Sequence, residues 1–248
     1  MGNVLVNDAY LYGIADALRE KHDTDKKYLP SEMADAVRGI QSGGDNYYDE
    51  FWDAFQDYGQ LKNYTGAFRG ARWNDETFKP KYSFVGVTTI NNMFQDASIT
   101  DLTKVLENAK VTLDASKATY VDGMFRTSKV TRVPFLDLSK AYNCSSMFNG
   151  CTNLECIDGI NFPSKSYTTM FSSCKALKSI TVGIGTIRDA ISFDACLLLS
   201  DESVQSIIEG LADLTEQDAK TLTLHADVKA KLTEAQISQI TSKNWTLA

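Results

Sequence analysis

Histidine, proline and long apolar runs are scarce in this chain. Its 248 residues include two histidines and four prolines. Its longest apolar runs, such as residues 195–199, are far shorter than the roughly 20 residues that a membrane-spanning helix needs. No basic segment followed by an apolar segment opens the sequence, because Asn7, Asp8 and Asp16 interrupt it. The sequence therefore predicts neither insertion into a membrane nor a secretory signal peptide.

Positive charge is in deficit as well. The chain has 25 lysines and arginines against 32 aspartates and glutamates, which gives a net charge of −7. Nucleic-acid binding depends on lysine and arginine contacts to phosphate, and docking on anionic lipid also needs a basic surface. The sequence thus predicts no nucleic-acid partner and no anionic lipid surface as a partner.

Sequence motifs for catalysis are missing. The chain contains no metalloprotease H-E-x-x-H, nucleophile elbow, P-loop or dinucleotide fingerprint. His22 and His225 lie in different regions with no evident partner, and we expect each to be a solvated polar residue. Asp201 and Glu202 fit the negative charges that begin a helix better than a hydrolase pair. We therefore expect no enzyme, no cofactor and no metal site.

An internal repeat occupies the middle of the chain. Its two fullest copies read Met147-Phe148-x-x-Cys151-x-x-Leu154 and Met170-Phe171-x-x-Cys174-x-x-Leu177, and they lie 23 residues apart. A period of 20 to 30 residues indicates a stacked solenoid, in which neighbouring units bury the apolar face that no unit can bury alone. The predicted anchors of the repeat are Met93, Phe94, Met124, Phe125, Met147, Phe148, Cys151, Leu154, Met170, Phe171, Cys174, Leu177, Phe193, Cys196 and Leu199.

The copies are not evenly spaced. A divergent first copy at Phe68 lies 26 residues before Phe94, and the distance from Met93 to Met124 stretches to 31 residues. An insertion must lie in the longer interval, where residues 101–109 predict a short helix on the outer side. Residues 154–157 and 177–180 predict short strands that stack into a parallel sheet.

Five cysteines need a structural explanation. Their number is odd and no C-x-x-C pair occurs, which argues against a zinc or redox site. Cys151, Cys174 and Cys196 occupy the same position of the repeat, and free cysteine packs well as a small apolar residue. The weaker copies have Ala71, Ala97 and Ser128 at this position. The pattern predicts a buried row of residues selected for small size.

Residues 1–44 predict a helical hairpin with a glycine-containing linker at its end. Its amphipathic helices are too small to hold a core, so we expect it to pair with copies of itself or to dock onto a larger partner. The candidate assembly face consists of Leu11, Ile14, Leu18, Met33, Val37 and Ile40. The aromatic residues 47–58 predict a helix that caps the open end of the solenoid rather than a ligand platform.

Residues 201–248 predict a cap at the other end. Ser200 precedes a helix that begins at Asp201, and Thr233-x-x-Gln236 is a capping box that predicts a helix with Ile237 and Ile240 inward. Residues 221–224 and 245–247 predict strands on the same sheet as the repeats. The expected domains are thus the hairpin at 1–44, the repeat domain with its aromatic cap at 45–200, and the C-terminal cap at 201–248.

Over roughly residues 64–200, the repeat Met-Phe-x-x-Cys-x-x-Leu-x-x-Ile resembles the BspA-type leucine-rich repeat of bacterial surface proteins and phage-encoded proteins. Residues 14–40 and 222–248 look like the terminal segments of tail-associated proteins from phages and prophages of Gram-positive bacteria. Leu29 departs from that pattern, since the family often has a threonine cap before the proline. The resemblance implies an α/β fold, namely a leucine-rich-repeat-like solenoid with short parallel strands, preceded by an N-terminal helical hairpin.

The resemblance also implies a function. It points to a structural protein of the phage virion at the tail tip, baseplate or fibre, which presents a repeat surface for host adhesion or subunit interaction. The chain would be made in the host cytoplasm and located in the virion tail. Its partners would be other virion and tail proteins, further copies of itself, for which a trimer would suit a fibre, and a host cell-surface glycan or protein.

Two other function classes remain as alternatives. A bacterial surface adhesin or interaction module would share the repeat, but the sequence has no signal peptide and no cell-wall sorting tail to favour it. The second is an enzyme such as a glycan hydrolase, which no residue of the sequence supports.

Overall fold

A computed structural model describes residues 63–71, 74–76, 78–80, 83–164, 166–167 and 169–248. Lys62–Lys79 and Ser83–Ala248 form one compact unit. The predicted N-terminal hairpin, its candidate assembly face and the aromatic segment at 47–58 lie outside the described residues. The described part is a mixed α/β structure with short parallel strands.

In the part of the chain that the structure describes, the helices and strands are short, and five strands in succession separate the first helix from the second. The helices are α1 (Leu102–Ala109), α2 (Asp201–Gly210), α3 (Ala226–Lys229) and α4 (Glu234–Ser242). The strands are β1 (Arg132–Val133), β2 (Leu136–Asp137), β3 (Cys156–Asn161), β4 (Ser179–Val182), β5 (Ile191–Phe193), β6 (Lys220–Leu224) and β7 (Trp245–Leu247). Among the described residues, no helix is both long and apolar enough to cross a membrane.

The strands form two parallel sheets. In the first, β1 and β2 both pair with β3, which pairs with β4, so that Val133 lies beside Ile157 and Ile157 beside Ile180. In the second, β5, β6 and β7 lie side by side in that order. The expectation of one continuous sheet was therefore wrong, because β6 and β7 extend from β5 rather than from β4.

Strand positions differ slightly from those expected. The strands β3 and β4 begin at Cys156 and Ser179, two residues after the predicted starts, because Leu154 and Leu177 still close local turns onto the cysteine three residues earlier. The first strand of the sheet is split into β1 and β2 around Pro134, whose nitrogen has no hydrogen to donate to a neighbouring strand.

Backbone hydrogen bonds join each copy of the repeat to the next. The amide of the repeat phenylalanine donates to the carbonyl of the methionine in the following copy. This bond links Phe68 to Met93, Phe94 to Met124, Phe125 to Met147 and Phe148 to Met170, with N–O distances of 2.8–3.0 Å. The amide three residues later bonds within its own turn, as Ala97 does to Phe94 at 3.1 Å. Backbone groups thus serve the turn and the neighbouring copy in alternation, which leaves few of them unpaired.

The phenylalanines of successive copies form a continuous stack in the core. Neighbouring ring centroids are 4.7–5.8 Å apart, and the ring planes differ by 23° or less. These values suit offset-stacked aromatic pairs. The stack runs through Phe68, Phe94, Phe125, Phe148, Phe171 and Phe193.

Helix α2 covers the outer edge of the first sheet. Its N-cap is Ser200, as expected, and its serine hydroxyls replace the next strand as hydrogen-bond acceptors for β4. Ser203 Oγ accepts from Ile180 N at 3.0 Å, and Ser206 Oγ accepts from Val182 N at 2.9 Å. An unpaired strand edge invites association with other strands, and these two hydroxyls remove that edge.

The other helices begin largely as the sequence predicts. Helix α1 has Asp101 as its cap, and α4 has the expected capping box of Thr233 and Gln236. One expectation for α4 was wrong, because Ile237 is exposed while Ile240 is fully buried. Helix α4 is only nine residues long and buries a narrow stripe, which leaves Ile237 at its solvent side.

Candidate interaction surface

The predicted repeat anchors all lie in the interior. Each has a side chain that is 7% exposed or less, and most are fully buried. Met93, Met124 and Met147 fill the spaces beside the phenylalanine stack at 0% exposure. The anchors therefore build the scaffold, and any contact with a partner must come from the residues between them.

The thiols of the repeat form hydrogen bonds to the phenylalanine carbonyls of the preceding copy. Cys151 Sγ donates to the carbonyl of Phe125 at 2.8 Å, and Cys174 Sγ donates to that of Phe148 at 3.2 Å. Burial disfavours the thiolate and raises the pKa of Cys151 to about 11 and of Cys196 to about 12. The thiolate is the reactive form, so burial makes these thiols poor nucleophiles.

Cys156 is the half-buried cysteine, and it belongs to a polar cluster around Asp158. The carboxylate accepts hydrogen bonds from Thr103 Oγ1 and Arg132 Nε, both at 2.8 Å. Cys156 Sγ donates to the same carboxylate at 3.4 Å. Burial and the neighbouring Asp158 carboxylate raise the pKa of Cys156, which opposes thiolate formation. The cluster ties α1, β1 and β3 together and does not activate the sulfur.

The histidine inside the described region has a structural role. His225 was expected to be a solvated polar residue rather than a base or ligand, and its Nδ1 accepts a hydrogen bond from Asp227 N at 3.2 Å, which caps α3. A helix cap needs an acceptor just before the first turn, and the imidazole supplies it. His22 lies outside the described residues. Over the described ranges, no three His, Cys, Asp or Glu side chains come together in a way that could hold a metal ion.

Two neighbouring tyrosines are exposed on the described part of the surface. Tyr120 and Tyr142 are 51% and 66% exposed, and their ring centroids lie 6.0 Å apart with an edge-to-face angle of 66°. Tyrosine offers a partner both an apolar ring and a hydroxyl that donates and accepts hydrogen bonds. We call Tyr120 and Tyr142 the tyrosine pair.

The backbone holds the tyrosine pair rigidly. The Tyr120 carbonyl accepts from Ile90 N at 2.8 Å, and Tyr142 N donates to the carbonyl of Thr119 at 2.8 Å. Tyr120 also lies in parallel register with Thr89 on one side and Asn143 on the other. Because the backbone is already ordered, little backbone conformational entropy is lost at these two residues when a partner binds.

A row of neutral hydrogen-bonding residues runs through Tyr120. Parallel register places Asn63, Thr89, Tyr120 and Asn143 in one row across four copies. Asn63 and Asn143 each accept from the amide two residues later, at 3.0 Å and 2.8 Å, so their side chains are also fixed. The row combines amide, hydroxyl and aromatic groups without a formal charge, which distinguishes it from the acidic chain as a whole.

The sequence pattern of the repeat anchors does not point to the tyrosine pair. A usable signal is nevertheless present, because Tyr120 and Tyr142 stand five and six residues before a repeat phenylalanine. The copies on either side of Tyr120 have Thr89 and Asn143 at its position, and those on either side of Tyr142 have Thr119 and Lys165. Large aromatic residues at positions that neighbouring copies fill with polar residues indicate an exposed site in those two copies.

Comparison with known proteins assigns no function to this surface. Function has to be inferred from the residues of the chain itself, namely the buried stack, the capped edge and the tyrosine pair. No protein-family model matches the chain, and no curated protein or solved structure matches it either.

Proposed function

We propose that this chain is a structural protein of a phage virion, at the tail tip, baseplate or fibre, whose leucine-rich-repeat-like solenoid presents a surface for host adhesion or subunit interaction. The chain would work by binding and would not catalyse a reaction. The N-terminal hairpin would anchor it to other tail proteins and join several copies.

The stack of repeat phenylalanines is the observation that carries the proposal. Copies that share one ring stack and one set of backbone hydrogen bonds depend on their neighbours for burial, as units of a solenoid do. The BspA-type resemblance covers the same residues. Solenoids of this kind offer extended, rigid surfaces, and their usual role is recognition.

The tyrosine pair gives that surface a place for contact. Exposing two large rings to water is unfavourable, and such exposure commonly marks an interaction site. Aromatic residues held at low conformational cost are frequent among the residues that dominate binding energy. The thiols of Cys151, Cys174 and Cys156, by contrast, donate hydrogen bonds to phenylalanine carbonyls or to Asp158.

The location of the protein can be tested directly. Immunogold electron microscopy of purified particles, with an antibody raised against this chain, should place the label on the tail. Label that remained on the bacterial surface and was missing from particles would favour the bacterial adhesin instead.

The role of the tyrosine pair can be tested with the purified full-length chain. Replacing both residues, Tyr120→Ala and Tyr142→Ala, should reduce binding to host cells by about tenfold or more, because exposed aromatic anchors commonly contribute over 1 kcal/mol each. The matched control is Ile184→Ala, which removes another exposed apolar side chain from a turn. Equal binding by the tyrosine variant and the control would move the contact site away from the tyrosine pair.

A further inference from the structure

A groove lies between the helices of the C-terminal part, in a different region from the tyrosine pair. Its volume is about 540 Å³, within the range of small-molecule sites. The apolar part of its lining includes Leu199, Val204 and Val228, all of which are at least nine-tenths buried. These side chains give the groove a firm apolar floor.

Three glutamines form a connected amide network along the same groove. Gln205 Nε2 donates to Gln239 Oε1 at 3.3 Å, and Gln236 Nε2 donates to Gln205 Oε1 at 3.3 Å. Gln205 Nε2 also donates to Glu209 Oε1 at 3.0 Å. The network links α2 to α4 and fixes the orientation of the amides before any ligand arrives.

The capping box of α4 holds this network in place. Gln236 Oε1 accepts from Thr233 N at 3.0 Å, which fixes the Gln236 side chain at the start of the helix. Its Nε2 donates to Gln205 Oε1 in this arrangement. A side chain needed for the helix cap is therefore also part of the groove, and the amides are preorganised by the local fold.

We infer that the groove binds an N-acetylated amino sugar, of one or two rings. Side-chain amides both donate and accept hydrogen bonds, and this matches sugar hydroxyls and an acetamido group. The apolar floor matches the acetyl methyl and the C–H face of the ring. Asp201 and Lys231 line the groove with opposite charges, so their sum favours a neutral ligand.

Other ligand chemistries fit the groove less well. An extended peptide is commonly recognised through free backbone groups of a strand edge, whereas the walls here are α2 and α4, whose interior backbone groups bond within the helices. An aliphatic chain would match the floor but would separate the glutamine amides from water without replacing those hydrogen bonds, which is costly.

The inference goes beyond the proposed function and can be tested without particles. Saturation-transfer NMR on the full-length chain would use N-acetylglucosamine and its β-1,4-linked disaccharide as probes. Glucose and cellobiose serve as matched probes that lack the acetamido group. With the acetylated sugars alone, we expect saturation transfer to the acetyl methyl of the sugar. In methyl spectra of the protein, the same sugars alone should shift the Val228 and Leu199 resonances.

Three variants assign the binding to the groove. Ala235→Trp fills the groove from an exposed position of α4 and should abolish binding. Gln205→Leu removes the centre of the amide network and should weaken binding by about tenfold. Gln217→Leu changes an exposed glutamine outside the groove and should leave the dissociation constant unchanged.

The outcomes are decisive in either direction. Absence of saturation transfer to both acetylated sugars at about 10 mM, a concentration that detects even very weak sites, would overturn the inference. Binding that survives Ala235→Trp, or equal binding of glucose and cellobiose, would overturn it as well. Because isolated protein is used, a negative result leaves the tail location unaffected, and a failure of the tail location leaves this result intact.

Discussion

At the scale of single residues, the position three after each repeat phenylalanine does more than accept a small side chain. The sequence predicts selection for size alone. The structure adds a chemical function, because the thiols of Cys151 and Cys174 donate to phenylalanine carbonyls. Each of those carbonyl oxygens already accepts a hydrogen bond from a backbone amide of its own turn, and the thiol donates to the second lone pair of the same oxygen. A copy with alanine at this position lacks that donor.

Replacing Ala97 by cysteine tests this role, because the substitution adds a thiol donor to a copy that lacks one. In Ala97→Cys the sulfur should donate to the Phe68 carbonyl, as Cys151 does to that of Phe125. The free energy of unfolding should rise by about 0.5–1 kcal/mol, measured by urea denaturation. The reciprocal control, Cys174→Ala, should lower it by about 1–2 kcal/mol, and a less stable Ala97→Cys would refute the role.

The buried thiols also predict how stability depends on pH. Burial raises the pKa of Cys151 from 9.0 to about 11 and of Cys196 to about 12. Above pH ~9 the unfolded chain loses these protons while the folded chain keeps them, so stability is complete below that pH and falls as pH rises.

Each of these thiols should contribute a loss on the order of 1–2 kcal/mol by about pH 10.5. Urea denaturation in the presence of a reducing agent, from about pH 8 to pH 10.5, measures the loss. In Cys196→Ala the slope against pH should be shallower than in the parent chain. Identical slopes would mean that the Cys196 thiol ionises equally well in the folded and unfolded chain.

At the scale of structural elements, each regular copy carries two residues with left-handed backbone. They lie two positions before and two positions after the phenylalanine, as Ser146 and Gly150 do around Phe148. Glycine adopts this conformation at no steric cost, whereas a threonine such as Thr127 is strained in it. The turn geometry is therefore set by the repeat as a whole and overrides the preference of single residues.

Gly150 provides a test of how neighbouring turns fit together. Its φ is +78°, and a Cβ added there would lie 2.7 Å from Thr127 Cγ2 in the preceding copy. Gly150→Ala should lower the free energy of unfolding by about 2–4 kcal/mol, through backbone strain plus the clash. The control Gly185→Ala has a similar φ but open space around it, so strain alone should cost about 1–2 kcal/mol.

A double substitution separates the clash from the strain. Thr127→Ser removes Cγ2 and keeps the hydroxyl that bonds to Asp96. In that background, Gly150→Ala should cost about as much as Gly185→Ala, by the same denaturation measurement. If the cost stayed as large as in the parent chain, the two turns would not be in contact as described.

The elements that the sequence predicts well are those determined by local signals. Ser200 before Asp201, and Thr233 three residues before Gln236, place two helix starts because caps depend on adjacent residues. The position of β6 in a second sheet could not be predicted in this way, because it depends on pairing with β5 about 30 residues earlier. The tyrosine pair was missed for a similar reason, since exposure depends on what the neighbouring copies leave uncovered.

At the scale of the whole molecule, the described unit is held together copy by copy. Each phenylalanine touches the next in the stack, and each copy donates backbone hydrogen bonds to the one that follows. The last copies are closed by α2 against β4 and by β6 and β7 beside β5. Nearest-neighbour stabilisation of this kind needs a cover at each end, and the C-terminal elements supply one of the two covers.

The proposed anchor can be deleted without removing any residue of this unit. Residues 1–44 precede the compact unit formed by Lys62–Lys79 and Ser83–Ala248. Deleting them should leave a folded repeat domain of lower oligomeric state that no longer joins the particle, because the predicted amphipathic helices need partners to bury their apolar faces. Light scattering gives the oligomeric state, and incorporation into particles is measured by immunoblot.

A variant with two substitutions tests whether the candidate assembly face is the part of the hairpin that joins the copies. Ile14→Lys with Leu18→Lys places charges on the candidate assembly face, and should lower the oligomeric state as the deletion does. The control Asp16→Lys places a lysine on the same segment, on the side of the predicted helix opposite to that face. Its oligomeric state should stay that of the parent, because a charge on the solvated side of a helix does not enter the apolar interface.

A truncated chain that still assembled normally would place the anchor in another segment. The aromatic residues 47–58 would then be the first to test, because they are the next apolar sequence along the chain.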